Sequence, residues 1–341
     1  MFILFLLAGF TAEAKEITVP KNPDGGWYYP DGNFPAKAGD VVLMDGDYAY
    51  IKIIGWNPGG YVTFRKRNPL TTVRVGTNHN GYSMVMDYCK YFIVDGLVIG
   101  NVNPTVYTEN SFNFPGAEKF EVRNCIIQNA KVGFFSNLST GHYTDIYIHD
   151  NIIRNISSTA KNTYSEGFYI GPSDVNASTE QTSFKNLRIE NNALENIGGD
   201  GIQITCAVDV KVKNNSIKNY GFHNIRFQQC GILLGNYSSG VVEGNYLETG
   251  TGSALNALGA GTIIFRNNIA KGTATSPGQD GIYIRGAKLK VKLIGNILDK
   301  VNRNFIQVDA GAVTENTRNS FGKAIASRPV PQAKETGDSS P

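Results

Sequence analysis

The 341-residue chain is poor in charge. Only 18% of its residues are Asp, Glu, Lys or Arg, and the net balance is +3. No stretch is dense enough in Lys and Arg to track a phosphate backbone, which sets nucleic acid aside as a partner. Cysteine is scarce too. Its four copies, Cys89, Cys125, Cys206 and Cys230, are scattered with no CxxC pair. That excludes a zinc pattern or a dense disulfide framework, and buried thiols acting as small apolar side chains are expected. Beyond the N-terminus no apolar run approaches the ~20 residues that cross a bilayer, so no membrane span is expected. Segments of helical period are missing as well, which excludes ankyrin and tetratricopeptide repeats, and no leucine-rich frame is present.

The first residues, MFILFLLAGFTAEA, join an apolar run to a small-x-small pattern at Ala12-Glu13-Ala14. They read as a secretory signal (1–14) without its basic region, cut after Ala14. Removing Glu13 takes the mature charge to +4, and the mature protein is expected outside the cytoplasm, secreted, periplasmic or at the cell surface.

What is abundant is apolar surface (41%) and glycine (38 residues), which excludes disorder of the whole chain. Residues 191–204, NNALENIGGDGIQI, show how they are deployed. Asn and Gly suit turns rather than helix interiors, and Ile-Gln-Ile alternates with the period of a strand. With Asn192 as a marker, apolar residues lie at −5 (Leu187), −3 (Ile189) and +2 (Leu194), and Asn196 lies at +4. All or most of this frame recurs around Leu97, Cys125, Asn151, Asn215, Asn245, Asn268 and Asn296, at intervals of 23 to 41 residues. A second short strand follows most markers, as in Gly167-Phe-Tyr-Ile, Gly201-Ile-Gln-Ile, Gly231-Ile-Leu-Leu and Gly281-Ile-Tyr-Ile. Two short strands per repeat and no helix between them define coils of a parallel β-helix. Stacking would bring the marker asparagines into register, each taking left-handed backbone and bonding its neighbour's amide.

On these repeats the chain resembles the right-handed parallel β-helix proteins of the pectate-lyase-like superfamily. AGDVVLMDGDYAYIKIIG (38–55) is similar to the first coil of secreted bacterial members that act on polysaccharides. The resemblance and the usual hand of parallel crossovers imply an all-β, single-domain, right-handed solenoid of about eight or more coils. Residues 15–40 are expected to enter and cap it, 41–321 to form it, and 322–341 to be a disordered tail or linker.

Two coils are widened, by residues 157–166 and 172–183 in one and 220–229 in the other. Insertions at matching places build a wall beside one face, and a site is expected there. Strand alternation turns Tyr169, Gln203, Asn256, Tyr283 and Gln307 outward, with Arg285 in the neighbouring column. Rings that stack on sugar faces and amides that bond hydroxyls make this a candidate glycan strip. Glu166 and Asp200 stand before the glycines of adjacent coils, a spacing compatible with a hydrolase pair. An Asp-Gly turn also accounts for Asp200 without any catalytic role. In FHNIRF lie His223 and Arg226. A lyase acting on uronates needs a base, for which His223 or Tyr169 is the candidate, and a cation to steady the enolate, for which Arg226 or Arg285 is.

The Asp-Asp pair and Gly-His-Gly of the polygalacturonase-type hydrolases are absent. The Lys/Arg motif of the chondroitinase-B-like lyases cannot be matched, although KLKVKL alternates Lys288, Lys290 and Lys292. Calcium stays open as a cofactor, with no EF-hand-like spacing to support it. The expected function is a monomeric exported enzyme, lyase or glycoside hydrolase, cleaving a polysaccharide that is acidic if the arginines set its charge. A non-catalytic glycan-binding or surface-attachment protein is the alternative, and a purely structural coil is a third.

Overall fold

The computed structural model describes residues 14–77, 81–138, 141–158, 165–172 and 183–322. The signal expected over 1–14 (Ala14 apart) and the tail from 323 onward lie outside them. So does most of the insertion 172–183 and the middle of 157–166.

Among the described residues every regular element is a strand and every pairing is parallel. The chain winds as a right-handed β-solenoid of about eleven turns. Three faces run its length. Face A starts at Trp27–Tyr29 and Ile51–Ile54 and continues through Phe168–Ile170, Ile202–Thr205 and Ile232–Gly235 to Ile306–Asp309. Face B holds the strands before the markers, such as Phe184–Glu190, and face C the strands after them, such as Ala193–Ile197. Leu255–Arg266 and Ile282–Ile294 bend from face A into face B without a break.

Register is strict because one slip would turn the interior column outward. Phe168 pairs with Ile202, Ile202 with Ile232, Ile232 with Leu255, Leu255 with Ile282 and Ile282 with Ile306. The first five of these are fully buried. Residues 15–40 contribute Glu16–Ile17 and Trp27–Tyr29 to the sheets. Trp27 and Phe34 pack with Tyr48, Trp56 and Phe64 as an aromatic plug at this end.

The markers form a buried amide ladder. The Oδ1 of Asn215 accepts from the backbone N–H and the Nδ2 of Asn192, at 2.9 and 3.0 Å. Its own Nδ2 donates to Ile189 O and Asn245 Oδ1, at 2.9 and 3.0 Å. The same pattern runs from Asn151 to Asn319. The frame therefore extends one coil beyond Asn296, to Asn319. The left-handed backbone falls beside the markers rather than on them: Asn191, Asn214 and Asn267 before, Asn155, Asn196 and Asn219 four after. A marker must point inward to bond along the stack, so its flanks take the bend. The glycines opening the face A strands serve close approach. A Cβ on Gly201 would meet Gly231 O at 2.5 Å, and one on Gly167 would meet Gly201 O at 2.6 Å.

Candidate functional site

On face A the interior column is as alternation requires, with Phe168, Ile170, Ile202, Ile204, Ile232 and Leu234 buried. The opposite column is not the open strip expected. Tyr169 (4% exposed), Gln203 (7%) and Asn256 (7%) are buried too. Alternation fixes which side of its own strand a residue takes, but not what covers that side. Tyr169 stacks with Phe135 of the preceding coil at 5.5 Å, and Asn256 turns its Nδ2 onto Cys230 Sγ at 2.7 Å. Only Tyr283 and Gln307 are partly open, and Arg285 is exposed.

Glu166 and Asp200 lie on adjacent coils, where Gly167 N–H donates to Asp200 O at 2.9 Å. Both side chains are 0% exposed, so neither meets a glycan from outside. Asp200 Oδ1 accepts the backbone N–H of Cys230 at 2.5 Å. Its Oδ2 and both carboxyl oxygens of Glu166 have no hydrogen-bond partner among the described residues. Burial, and then the charge of Asp200, raise the Glu166 carboxyl to about 8. Burial raises Asp200 to about 7 against the opposing pull of the Cys230 amide. The pair is enclosed beneath the surface with its proton affinity raised, rather than an exposed hydrolase couple.

His223, the candidate base in the insertion, has a side-chain partner. Its ring Nε2 lies 2.9 Å from Ser157 Oγ, and partial burial lowers its affinity for a proton. Arg226 is exposed and lies over the Phe227 ring at 4.7 Å.

Arg226, Asn256, Tyr283 and Arg285 do converge. They line a groove of about 500 Å³ over the later coils, walled on one side by Arg226, Phe227 and Gln229 of the insertion. Cys230 and Asn256 contribute to its buried floor, and Asp280, Arg303 and Asp309 complete its charged lining. Asp280 is buried and takes Arg303 bidentately, at 2.9 and 2.5 Å, and also accepts from the N–H and Nδ2 of Asn304. This carboxylate is saturated and serves to fix Arg303. Tyr283 OH donates to Asp309 Oδ2 at 3.0 Å, and Gln307 Nε2 donates to Asp309 Oδ1 at 2.7 Å. Burial, then the bond to Asp309, raise the Tyr283 phenol, while the bonds from Gln307 and Tyr283 hold Asp309 below its ordinary value. The groove thus offers three guanidiniums against two carboxylates.

Glu166, Tyr169, Gln203 and His223 do not line this groove, and Gln307 reaches it through Asp309. Arg303 was missed by sequence reasoning. Its signal was the coil period, since it stands 23 residues after the Asp-Gly of Asp280. Lys288, Lys290 and Lys292 project from face B, where Lys292 pairs with Glu315 at 3.3 Å. Among the described residues no group of three His, Cys, Asp or Glu side chains is placed to hold a metal ion.

The family model for the right handed beta helix region matches residues 146–321, just over half of the chain. The chain belongs to the right-handed β-helix family. Among solved structures, this β-helix is similar to the lacto-N-biosidase of Eubacterium ramulus, at 11% identity and a TM-score of 0.51. The alignment covers 85% of this chain and 63% of that one, so the β-helix spans under two thirds of the neighbour's length. It is also similar to an alginate lyase from a Paenibacillus species, at 13% identity and a TM-score of 0.48, over 84% of this chain and 94% of the other. A search of curated proteins finds no match. At these identities the likeness speaks for the fold alone. No helix among the described residues is long and apolar enough to cross a membrane.

Proposed function

We propose that this β-helix is an exported protein that acts on an acidic polysaccharide held in the groove of the later coils. The observation that carries the reading is the lining. Arg226, Arg285 and Arg303 stand around Tyr283 in a concave site of about 500 Å³. Guanidiniums match carboxylate or sulfate groups in fork geometry, and an aromatic ring beside them suits a pyranose face. The named activities of the two neighbours reported above fit a carbohydrate substrate.

Elimination fits this lining better than hydrolysis. A hydrolase needs two carboxyls flanking the glycosidic bond. Here Asp280 is saturated, and Glu166 and Asp200 are enclosed. In an elimination, Arg285 would neutralise the uronate carboxylate and so acidify the adjacent C–H. Asp309 is the candidate base, its carboxylate weakened by the bonds from Gln307 and Tyr283 until substrate displaces them. Tyr283 keeps its proton at neutral pH and would turn it from Asp309 to the leaving oxygen. The test is incubation with a panel of polyuronates and sulfated glycans, following the ultraviolet absorbance of an unsaturated uronate and the release of reducing ends. Reducing ends without that absorbance would overturn elimination in favour of hydrolysis.

One observation favours a second reading, a non-catalytic glycan-binding protein. Every carboxylate at or beneath the groove is tied to a partner or enclosed. Saturable binding of an acidic glycan with no new ends would decide for it.

A further inference from the structure

A second concave site lies on another face and nearer the N-terminal end. It is a cleft of about 300 Å³ on face C, over the strands Arg74–Val75, Val98–Gly100, the start of Ile126–Ser136, and Ile152–Ile156. The groove begins on face A about two coils further along, or ~10 Å along the axis. Lys66, Arg74 and Arg154 line the cleft, and among the described residues no acidic side chain does.

Arg154 is the centre of it. This half-buried guanidinium directs its Nε and one Nη to Gln128 Oε1, at 3.1 and 3.0 Å. Gln128 is itself fixed, its Nε2 donating to Asn101 O at 3.3 Å. The group holding the arginine is therefore a neutral amide, and among the described residues no carboxylate lies within ion-pair distance of it. An arginine carries five N–H donors. Two are used here, so about three remain for a ligand, and Glu195, its register partner on the next coil, stands outside ion-pair distance. Asp95 approaches the rim by accepting from Asn124 at 2.9 Å, but Arg123 Nε takes its other oxygen at 2.9 Å. Arg74 has Asp47 at 3.7 Å and Lys66 reaches Pro69 O at 3.4 Å, so both are oriented.

The other surface of the cleft is apolar. Val98, Ile126 and Ile152 stand one above another on successive coils, each partly exposed, with Val102 and Pro104 as a side wall. Coil spacing sets these side chains ~4.8 Å apart, which gives a flat strip roughly 10 Å long. A flat apolar strip beside a fixed guanidinium suits a pyranose ring bearing an acidic substituent. Nucleic acid would call for a longer basic track with stacking aromatics, and the cleft has neither.

We infer that the face C cleft is a second carbohydrate site, taking a short acidic saccharide with its carboxylate or sulfate on Arg154 and a ring on the Val98–Ile126–Ile152 strip. It is separate from the groove and does not depend on any cleavage there. A polymer anchored in the cleft would be retained while another stretch of it is presented elsewhere.

The test uses the full chain with Arg285→Ala, which weakens the groove, and measures calorimetric binding of a uronic acid trisaccharide. Binding is expected to persist at one site and to weaken at least tenfold on adding Arg154→Ala, with Arg154→Lys recovering part of the loss. Ile126→Ser is expected to weaken it several-fold while leaving inorganic sulfate unaffected. Unchanged melting temperatures keep the comparison fair, and Arg154→Lys serves as the folded reference should the alanine variant fail. The proposal is overturned if the trisaccharide binds equally well with and without Arg154, or if Arg285→Ala alone abolishes binding. A neutral trisaccharide, sulfate alone or an oligonucleotide binding as tightly as the uronate would overturn the assignment of ligand.

Discussion

Replacing Glu166 by Gln should make the protein more stable at alkaline pH. The carboxyl is wholly buried, has no hydrogen-bond partner among the described residues, and is raised from the usual 4.5 to about 8 by burial and by Asp200. In the unfolded chain it ionises freely above pH 4.5, whereas the folded protein binds the proton up to about pH 8. Over that window the folded state holds more protons, so stability falls as pH rises, by ~1.4 kcal/mol for each pH unit per such group. Asp200 adds a similar slope from 3.8 to about 7. Gln removes the Glu166 share. The variant should match the wild type near pH 4.5 and exceed it by roughly 3–5 kcal/mol at pH 9. For a chain of this size that corresponds to a rise of about 5 °C in melting temperature. Thermal and urea unfolding followed by circular dichroism from pH 4.5 to 9 measures it. A wild type whose stability is flat between pH 5 and 8, or a variant less stable than wild type at pH 9, would refute the reasoning. Either would mean that the pair is ionised and solvated.

Other outcomes follow from the groove and the ladder. Arg285→Ala and Tyr283→Phe should each lower turnover of the acidic glycan by at least tenfold, with Arg285→Ala also raising KM; rates on the substrate identified in the panel check both. Asp280→Asn should release Arg303 and weaken glycan binding several-fold with a melting temperature lowered by a few degrees, read by calorimetry and unfolding together. Asn215→Ala strips four hydrogen bonds and leaves buried partners unmade on both sides, a loss of about 3–5 kcal/mol in urea unfolding. The same change at the part-buried Asn319 should cost less than half as much, because water replaces the lost partners.

The solenoid was legible because its interior is a nearest-neighbour problem. The coils repeat an apolar-x-apolar pair at one place, such as Phe-Tyr-Ile, Ile-Gln-Ile and Ile-Leu-Leu, so Phe168, Ile202 and Ile232 announce their own stack. The amide ladder was legible for the same reason, although its left-handed residues fall beside the markers instead of on them. The candidate site was legible in part. Arg226, Asn256, Tyr283 and Arg285 meet in one groove. Tyr169 and Gln203 do not, since period-2 alternation is blind to cover on the outer side of a strand. Glu166 and Asp200 were placed on neighbouring coils, but their enclosure was not visible. Nor was the cleft around Arg154, whose meaning depends on a neutral partner 26 residues away.

The sequence by itself determined what repeats: the strand period, the stacked interior, the marker asparagines, and the coil in which each polar residue sits. Those are local properties, copied at a nearly fixed interval, and any chain obeying them must wind. The tertiary structure alone decided which outward side chains meet solvent, which carboxyls are sealed, and which arginines rest on a neutral partner. These depend on turns of unequal length folding over neighbouring coils, and on partners chosen across the stack, which no single repeat encodes.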